Sequence, residues 1–186
     1  MAASTTDRPG RGRGLAPRML RAARLDASLY EEVEADRGAT PQAFAVVVLA
    51  GLATGIGALA NSGAAGLLWH TLLDVALWYG WAGLTLWIGT RLLPTPATRA
   101  DLGELLRTLG FACAPGILRV VGIFPPLAFA AFTLCGLWML VAMVVALRQA
   151  LDYDSTARAA AVCAIGLPLY AVGQVVSLLL LGPWPL

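Results

Sequence analysis

Three ionisable side chains, His70, Asp74 and Arg119, lie within long apolar stretches of this 186-residue chain. His70 and Asp74 are four residues apart, so a helix would place them on one face. An ionisable group inside hydrocarbon costs about 2.5–3.5 kcal/mol on insertion scales, so each needs a partner or a function. We expect an ion pair between Asp74 and Arg119, with His70 bonded to Asp74. A proton or substrate path through Asp74 is the alternative.

His70 also allows cofactor chemistry, because a neutral imidazole on a membrane helix is a usual axial ligand of haem or bacteriochlorophyll. The chain has one histidine, which excludes bis-histidine haem, and the sequence itself requires no cofactor. Cys113, Cys135 and Cys163 are far apart in apolar stretches, which favours buried free thiols over a disulfide or a zinc site. We predict no metal site. Since no nucleophile–base pair stands out either, we expect no enzyme.

The composition indicates which elements must hold these residues. Hydrophobic residues make up 59 % of the chain and charged residues 13 %, against roughly 45–50 % and 25 % in soluble domains. A soluble domain of this size has too little interior to bury that much apolar surface. An ordinary soluble enzyme, a disulfide-stapled secreted module and a disordered chain are therefore excluded, and a lipid bilayer must cover the rest.

Five apolar stretches follow Pro41, each about 19–25 residues long and thus close to the ~20 residues that cross 30 Å of hydrocarbon. We therefore predict an all-α integral membrane bundle of five transmembrane helices over residues 41–182. The third stretch contains Pro115, which predicts a kink. The predicted spans are 42–61, 66–90, 105–123, 127–147 and 159–181.

The positions of the arginines predict the orientation of the bundle. All thirteen basic residues are arginine. With the N-terminus in the cytoplasm, twelve of them lie on the cytoplasmic side and Arg119 alone lies toward the outside, as the positive-inside rule requires. Arginine without lysine, in a chain rich in alanine, glycine and proline, indicates GC-rich coding and a bacterial source. We expect a bacterial cytoplasmic (inner) membrane protein with its N-terminus inside and its C-terminus outside.

The residues before the first span divide into two parts. Residues 1–14 are rich in glycine and arginine and lack periodicity, which predicts a disordered tail. Residues 15–38 predict cytoplasmic amphipathic helices: a basic one suited to the lipid headgroup layer, and an acidic one opened by a capping box from Ser28 to Glu31. Their charged faces are either merely solvated or bind a partner. The candidate partner-binding residues are Arg11, Arg13, Arg18, Arg21, Tyr30 and Glu31.

The first span contains three closely spaced glycines, Gly51, Gly55 and Gly57. Glycines four apart on a membrane helix let another helix backbone approach closely. We expect these glycines to pack helices within the bundle. Docking on a partner or on a second copy of the chain is the alternative.

Three segments read together resemble a known family. They are LDASLYEEVEAD at 25–36, LLRTLGFACAPGILRVVGIFPPL at 105–127 and LWMLVAMVVALRQALDYDSTARA at 137–159. With the five-span layout, they resemble the bacterial branch of the Yip-domain (Ypt/Rab-interacting) membrane proteins. The resemblance implies a five-span fold. It also implies contact with other membrane proteins, since the eukaryotic members interact with Rab/Ypt GTPases. It assigns no catalytic residue.

These observations favour a protein that works by contact. The leading hypothesis is a non-catalytic integral membrane scaffold or accessory subunit that binds other integral membrane proteins in a larger complex, with the bilayer around it and no nucleic acid. One alternative is a pigment- or haem-associated subunit of a photosynthetic or respiratory complex, which would place His70 near a cofactor. The other is a small proton-coupled transporter, which would place Asp74 in a water-filled cavity.

Overall fold

The computed structural model describes residues 14–181, and these residues form helices without any strand. Five of the helical segments are long and apolar enough to cross a membrane, which confirms the prediction of an all-helical chain with five candidate spans. The bounds of the seven α-helices are α1 Leu15–Ala23, α2 Ala27–Ala35, α3 Thr40–Gly57, α4 Leu59–Trp87, α5 Leu102–Ala112, α6 Pro125–Ala150 and α7 Thr156–Leu181. The predicted tail at 1–14 lies outside the described residues except for Gly14.

The connection between α3 and α4 is short. Helix α3 ends at Gly57, and Ala58 leads directly into α4. The turn of the chain is completed inside α4 at Gly63, whose φ of 60° and ψ of −169° interrupt the helix. Glycine adopts this φ without the steric cost that a Cβ imposes. The two helices are therefore held as a closely packed pair.

The third candidate span changes its helix type halfway. Helix α5 begins at a capping box formed by Asp101 and Glu104 and ends at Ala112. A 3₁₀ helix over Ala114–Ile123 then completes the span. Pro115 has no amide hydrogen and cannot continue the α-helical bonding, so the predicted kink takes the form of this change. Pro125 and Pro126 follow as the first residues of α6, where proline is well tolerated.

Helices α1 and α2 form an N-terminal hairpin, residues 15–35. The chain reverses at Leu25, which has a φ of 62°. The side chain of Asp26 caps α2 by accepting a hydrogen bond from the backbone N–H of Ser28 at 3.0 Å. The prediction that Ser28 caps α2 is therefore wrong by two residues. The N-cap is Asp26, which lies directly after the turn at Leu25.

The N-terminal hairpin lies along α6 and also packs on α5 and the 3₁₀ helix. Gln149, near the end of α6, donates to the carboxylate of Glu31 at 3.2 Å. Trp138 donates its indole N–H to the carbonyl of Ala23 at 2.8 Å. Eleven residues separate these two contacts on α6, or about 16 Å at 1.5 Å per residue. The hairpin therefore follows part of the length of α6, and its predicted place in the headgroup layer stays a prediction.

The loop between α6 and α7 is fastened to the end of α4. The hydroxyl of Tyr153 donates to the carbonyls of Gly89 at 3.2 Å and Leu93 at 2.8 Å. These carbonyls belong to a π-helical turn, Ile88–Leu92, and the residue after it. A wide turn leaves carbonyls without the usual helical partners. The Tyr153 hydroxyl has one hydrogen, which is shared between the two carbonyls.

The glycines of α3 allow its backbone to touch two neighbouring elements. A Cβ at Gly51 would lie 2.8 Å from the Cα of Thr71, and one at Gly55 would lie 2.6 Å from the Cα of Leu67. Gly57 approaches the carbonyl of Arg119 in the same way. All three glycines are buried inside the bundle, so their close approaches are to this chain's own helices.

We expect Gly55→Val to destabilise the protein by about 1–3 kcal/mol, because the new side chain would force α3 and α4 apart. Gly83→Val is the matched control, since a Cβ at Gly83 meets no atom within 4 Å and the two changes share the same helix propensity. Thermal unfolding of both variants in mild detergent measures the difference. Equal unfolding temperatures would contradict the close contact.

Candidate functional site

The polar centre of the bundle is the hydroxyl of Thr54 on α3. Its Oγ lies 3.3 Å from Oδ2 of Asp74 on α4 and 3.3 Å from Nη1 of Arg119 on the 3₁₀ helix. It also lies 2.9 Å from the carbonyl of Ala50, one turn earlier on its own helix. Thr54 is 1 % exposed. A single buried hydroxyl therefore joins three candidate spans.

The hydroxyl suits this position because it both accepts and donates. Arg119 can only donate, so Thr54 accepts from it through an oxygen lone pair. The one hydroxyl hydrogen is then shared between the Ala50 carbonyl and the Asp74 carboxylate. The oxygen of the hydroxyl faces the cation, and its hydrogen has two acceptors, the Ala50 carbonyl at 2.9 Å and the Asp74 carboxylate at 3.3 Å. This arrangement lowers the cost of holding both charges among apolar helices.

The structure brings Asp74 and Arg119 to one site, and the link it shows between them passes through Thr54. The direct ion pair and the bond from His70 to Asp74 remain predictions. His70 lies one turn before Asp74 on α4 and is 3 % exposed. The sequence analysis missed Thr54. The available signal was a hydroxyl residue between Gly51 and Gly55, in a span that has no charged residue.

A cavity of about 350 Å³ opens beside this polar centre. Its walls come from α3, α4, α5, α6, α7 and the 3₁₀ helix, and they are mostly apolar. Among the described residues, Asp74 and Arg119 line the cavity and His70 does not. The guanidinium carbon of Arg119 lies 5.9 Å from the centre of the Phe132 ring, a cation–π distance, and Phe132 forms part of the wall.

Two tryptophans of α4 line the cavity and differ in their hydrogen bonding. Trp78 donates its indole N–H to the carbonyl of Leu106 at 3.1 Å. The indole N–H of Trp81 is buried and has no hydrogen-bond partner in the described part of the chain. The far edge of the Trp81 ring packs over Gly166 of α7. The Trp81 ring thus contains a buried donor that the described protein atoms do not satisfy.

The charged residues of the N-terminal hairpin mainly bind one another. Arg18 donates to Glu32 at 2.8 Å, to Asp36 at 2.7 Å and to Gln42 at 3.0 Å. Arg21 donates to the other oxygen of Glu32 at 2.6 Å. Burial alone would raise the pKa of Glu32, but the hydrogen bonds from Arg21 and Arg18 outweigh it and lower that pKa.

These contacts correct the list of candidate partner-binding residues. Arg18 is 1 % exposed inside the hairpin, and Tyr30 is fully buried with its hydroxyl donating to the Ala22 carbonyl at 3.3 Å. Neither side chain can reach a partner in this conformation, because each is used to close the hairpin. Arg21 is partly exposed, and Glu31 is exposed. Arg11 and Arg13 lie outside the described residues.

Arg107 of α5 anchors the end of α2. Its Nε donates to the carbonyl of Val33 at 2.9 Å, and its Nη2 donates to the carbonyl of Glu34. The last carbonyls of a helix lack partners within the helix, so a buried arginine satisfies them and complements the helix dipole. Arg107, near the start of the third candidate span, therefore holds the hairpin to the bundle.

The carboxyl of Glu34 lies in an unfavourable place for a negative charge. Burial, followed by the negative charges of Asp152, Glu104 and Glu31, raises the pKa of Glu34 from its ordinary value of 4.5 to about 7, against the attraction of Arg107. The folded protein therefore holds a proton here that the unfolded chain releases at lower pH. This carboxyl belongs to the junction between α2, α5 and the loop after α6.

No family model, curated protein or solved structure matches this chain. The resemblance to the Yip-domain proteins therefore stays a prediction, and the site must be interpreted from its own geometry. Among residues 14–181, no three histidine, cysteine, aspartate or glutamate side chains come together as metal ligands.

We expect Thr54→Val to destabilise the protein by about 1–3 kcal/mol, because a methyl group of the same shape neither accepts from Arg119 nor donates to Asp74. Thr54→Ser keeps the hydroxyl and loses a methyl group, at about 0.8 kcal/mol. Thr71→Val is the matched control, since the hydroxyl of Thr71 donates to the carbonyl of Leu67 within its own helix. Thermal unfolding in detergent compares the three. A Thr54→Val variant no weaker than Thr71→Val would contradict the bridging role.

We expect the contribution of Glu34 to the stability of the wild-type protein to fall as the pH rises from about 4.5 to about 7, because Glu34 keeps its proton to a higher pH in the folded state. Glu34→Gln removes this titration, so its unfolding temperature should vary less over this interval and exceed that of the wild type at pH 8. Thermal unfolding between pH 4 and 8 measures both. An unchanged pH profile in the variant would show that Glu34 is not the group responsible.

Proposed function

We propose that this chain is a non-catalytic accessory or scaffold protein of a bacterial membrane complex and that it binds partner proteins through its N-terminal hairpin and its apolar helix faces. The observation that carries the proposal is the way in which the hairpin is fixed to the bundle. Arg107, Trp138 and Gln149 bind it at three separate places. A segment that only tethered the chain would need none of these contacts.

A fixed hairpin suits partner binding for a thermodynamic reason. Association loses free energy for every loop or side chain that it must order, so a surface ordered in advance binds more tightly. The internal bonds of Arg18 and Arg21 hold α1 against α2. The outward side of α1 is thereby set in one position before any partner arrives.

The outward side of α1 is less basic than the composition of the helix predicts. Arg18 and Arg21 turn toward α2, while Leu20 remains 52 % exposed and Arg24 is exposed. Arg24 directly follows α1, and its amide donates to the carbonyl of Leu20 at 3.1 Å, so the two residues are neighbours at the end of the helix. An exposed leucine beside a cation offers an apolar and an electrostatic contact together, which is common at protein interfaces. We place the partner contact at Leu20 and Arg24, with the exposed Glu31 of α2 as a further candidate.

The proposal includes a location in the bacterial inner membrane and an orientation with the N-terminus in the cytoplasm. Twelve arginines on one side of the five candidate spans support a cytoplasmic N-terminus in the bacterial inner membrane. The hairpin would then meet partners at the cytoplasmic side, and the exposed faces of α6 and α7 would meet lipid or other spans. The resemblance to the Yip-domain proteins supports a role in contact with other membrane proteins.

Gentle extraction of the tagged full-length protein from its native membranes tests this function. We expect it to migrate as a complex with fixed partners and stoichiometry. We expect Leu20→Glu combined with Arg24→Glu to release the chain from that complex without lowering its unfolding temperature. Arg99→Glu, a charge reversal at an exposed loop position, is the matched control and should leave the complex intact.

Migration of the wild-type protein alone, from native membranes and without cross-linking, would refute the accessory role. If the complex survives the combined Leu20→Glu and Arg24→Glu substitutions, the accessory role still holds. The contact surface then lies elsewhere than on the hairpin.

A further inference from the structure

We propose that the junction of α4, α6 and α7 binds the phosphate group of an anionic membrane phospholipid. This Tyr153 junction consists of residues 87–94, at the end of α4, and residues 148–158, which join α6 to α7. The hydroxyl of Tyr153 connects the two parts through the carbonyls of Gly89 and Leu93. The inference rests on the membrane location in the proposed function but not on the protein partners proposed there.

Two arginines contact the same residue, Tyr153. The Nε of Arg148 donates to the carbonyl of Tyr153 at 3.3 Å. The guanidinium carbon of Arg158 lies 5.7 Å from the centre of the Tyr153 ring, a cation–π distance. Nη1 of Arg158 also donates to the carbonyl of Pro94 at 3.1 Å, on the other part of the junction. Both cations are therefore positioned before a ligand arrives, which lowers the cost of ordering them on binding.

The charges of these two arginines are not compensated by carboxylates. Arg18 and Arg21 of the N-terminal hairpin form ion pairs with carboxylates. Within the described part of the chain, Arg148 and Arg158 form hydrogen bonds to carbonyl and hydroxyl oxygens instead. Asp154 lies in the same loop and forms no ion pair with either. A carbonyl orients a guanidinium without cancelling its charge, so the junction attracts an anion.

The remaining donors of the two arginines suit a phosphate group. A guanidinium has five N–H donors in a planar fork that matches the spacing of phosphate oxygens. Arg148 uses two of them, for the Tyr153 carbonyl and for the hydroxyl of Thr156 at 3.3 Å, and Arg158 uses one. Helix α7 begins at Thr156, so the positive end of its dipole adds to the attraction.

Exposed apolar side chains beside these cations indicate that the anion belongs to a lipid. Trp87 at the end of α4 is 55 % exposed, and Leu92 at the end of the π-helical turn is 52 % exposed. Arg91 of the same turn is exposed as a third cation. Tryptophan and arginine are typical of the level where hydrocarbon meets the headgroups. A phospholipid covers the apolar side chains and also supplies the phosphate, whereas a soluble anion supplies the phosphate alone.

Native mass spectrometry of the purified full-length protein measures this binding, since it counts the lipids that remain bound and gives their dissociation constants. The probes are dioleoyl-phosphatidylglycerol and dioleoyl-phosphatidylcholine, which share their acyl chains and differ in net charge. We expect the anionic lipid to bind at least tenfold more tightly. Glycerophosphoglycerol, the headgroup of that probe without its acyl chains, should not displace it even in about hundredfold excess.

The combined variant Arg148→Gln and Arg158→Gln tests the position of the site. We expect it to bind phosphatidylglycerol about twentyfold more weakly, at about fivefold for each arginine near a membrane surface. Arg37→Gln combined with Arg99→Gln is the matched control, because it removes the same charge from two exposed arginines outside the junction. The control should bind phosphatidylglycerol like the wild type.

Arg91→Gln provides a second test that leaves the bonds of the Tyr153 loop in place. The described hydrogen bonds of this loop involve Arg148, Arg158 and Tyr153 but not the side chain of Arg91. We expect this variant to unfold at the wild-type temperature and to bind phosphatidylglycerol about fivefold more weakly. It decides the position of the site if the double variant at 148 and 158 does not fold.

The proposal is overturned if the two lipids bind equally, or if the control pair weakens phosphatidylglycerol binding as much as the pair at the junction. Displacement by glycerophosphoglycerol would show a site for a soluble anion and overturn the assignment to a lipid. Unchanged binding by a folded Arg91→Gln variant would overturn the position of the site. All these measurements use the purified protein, so their outcome does not depend on whether a native complex with partners exists.

Discussion

Opposite charges cannot be left apart among apolar helices, and the arrangement of the bundle follows from this constraint. The hydroxyl of Thr54 meets both Asp74 and Arg119 only if α3, α4 and the 3₁₀ helix come within a few ångströms of one another. The glycines at 51, 55 and 57 remove the side chains that would prevent it. Close packing and charge compensation are thus met together on α3, by three glycines and one threonine within seven residues.

The N-terminal hairpin solves the same problem by another route. Its arginines and carboxylates neutralise one another between α1 and α2, so that the hairpin can lie against apolar helices. Arg107 then binds the carbonyl end of α2, where the helix dipole is negative. The result is a helix pair in which Arg18 is buried and Leu20 is exposed, whereas Leu29 and Val33 of α2 face the bundle.

The length and hydropathy of the apolar stretches were sufficient to predict five helices. A helix of about 20 apolar residues matches the thickness of a bilayer, and each stretch has about that length. Local bonding was harder to predict. Ser28 and Asp26 are both good caps, and only the turn at Leu25 decides between them. Arg18 and Tyr30 looked like surface residues, since a sequence does not show which side of a short helix meets another. Thr54 was missed because its two partners lie 20 and 65 residues away.

The contacts between the hairpin and α6 also determine the order of assembly. Ala23 and Trp138 are 115 residues apart, and Glu31 and Gln149 are 118 apart. At about 5–20 residues per second, the ribosome finishes the hairpin roughly 6–23 s before α6 exists. The ion pairs of the hairpin connect residues at most 18 apart and can form at once. The hairpin is therefore made before α6, and its contacts with α6 mark a chain whose fourth candidate span is in place.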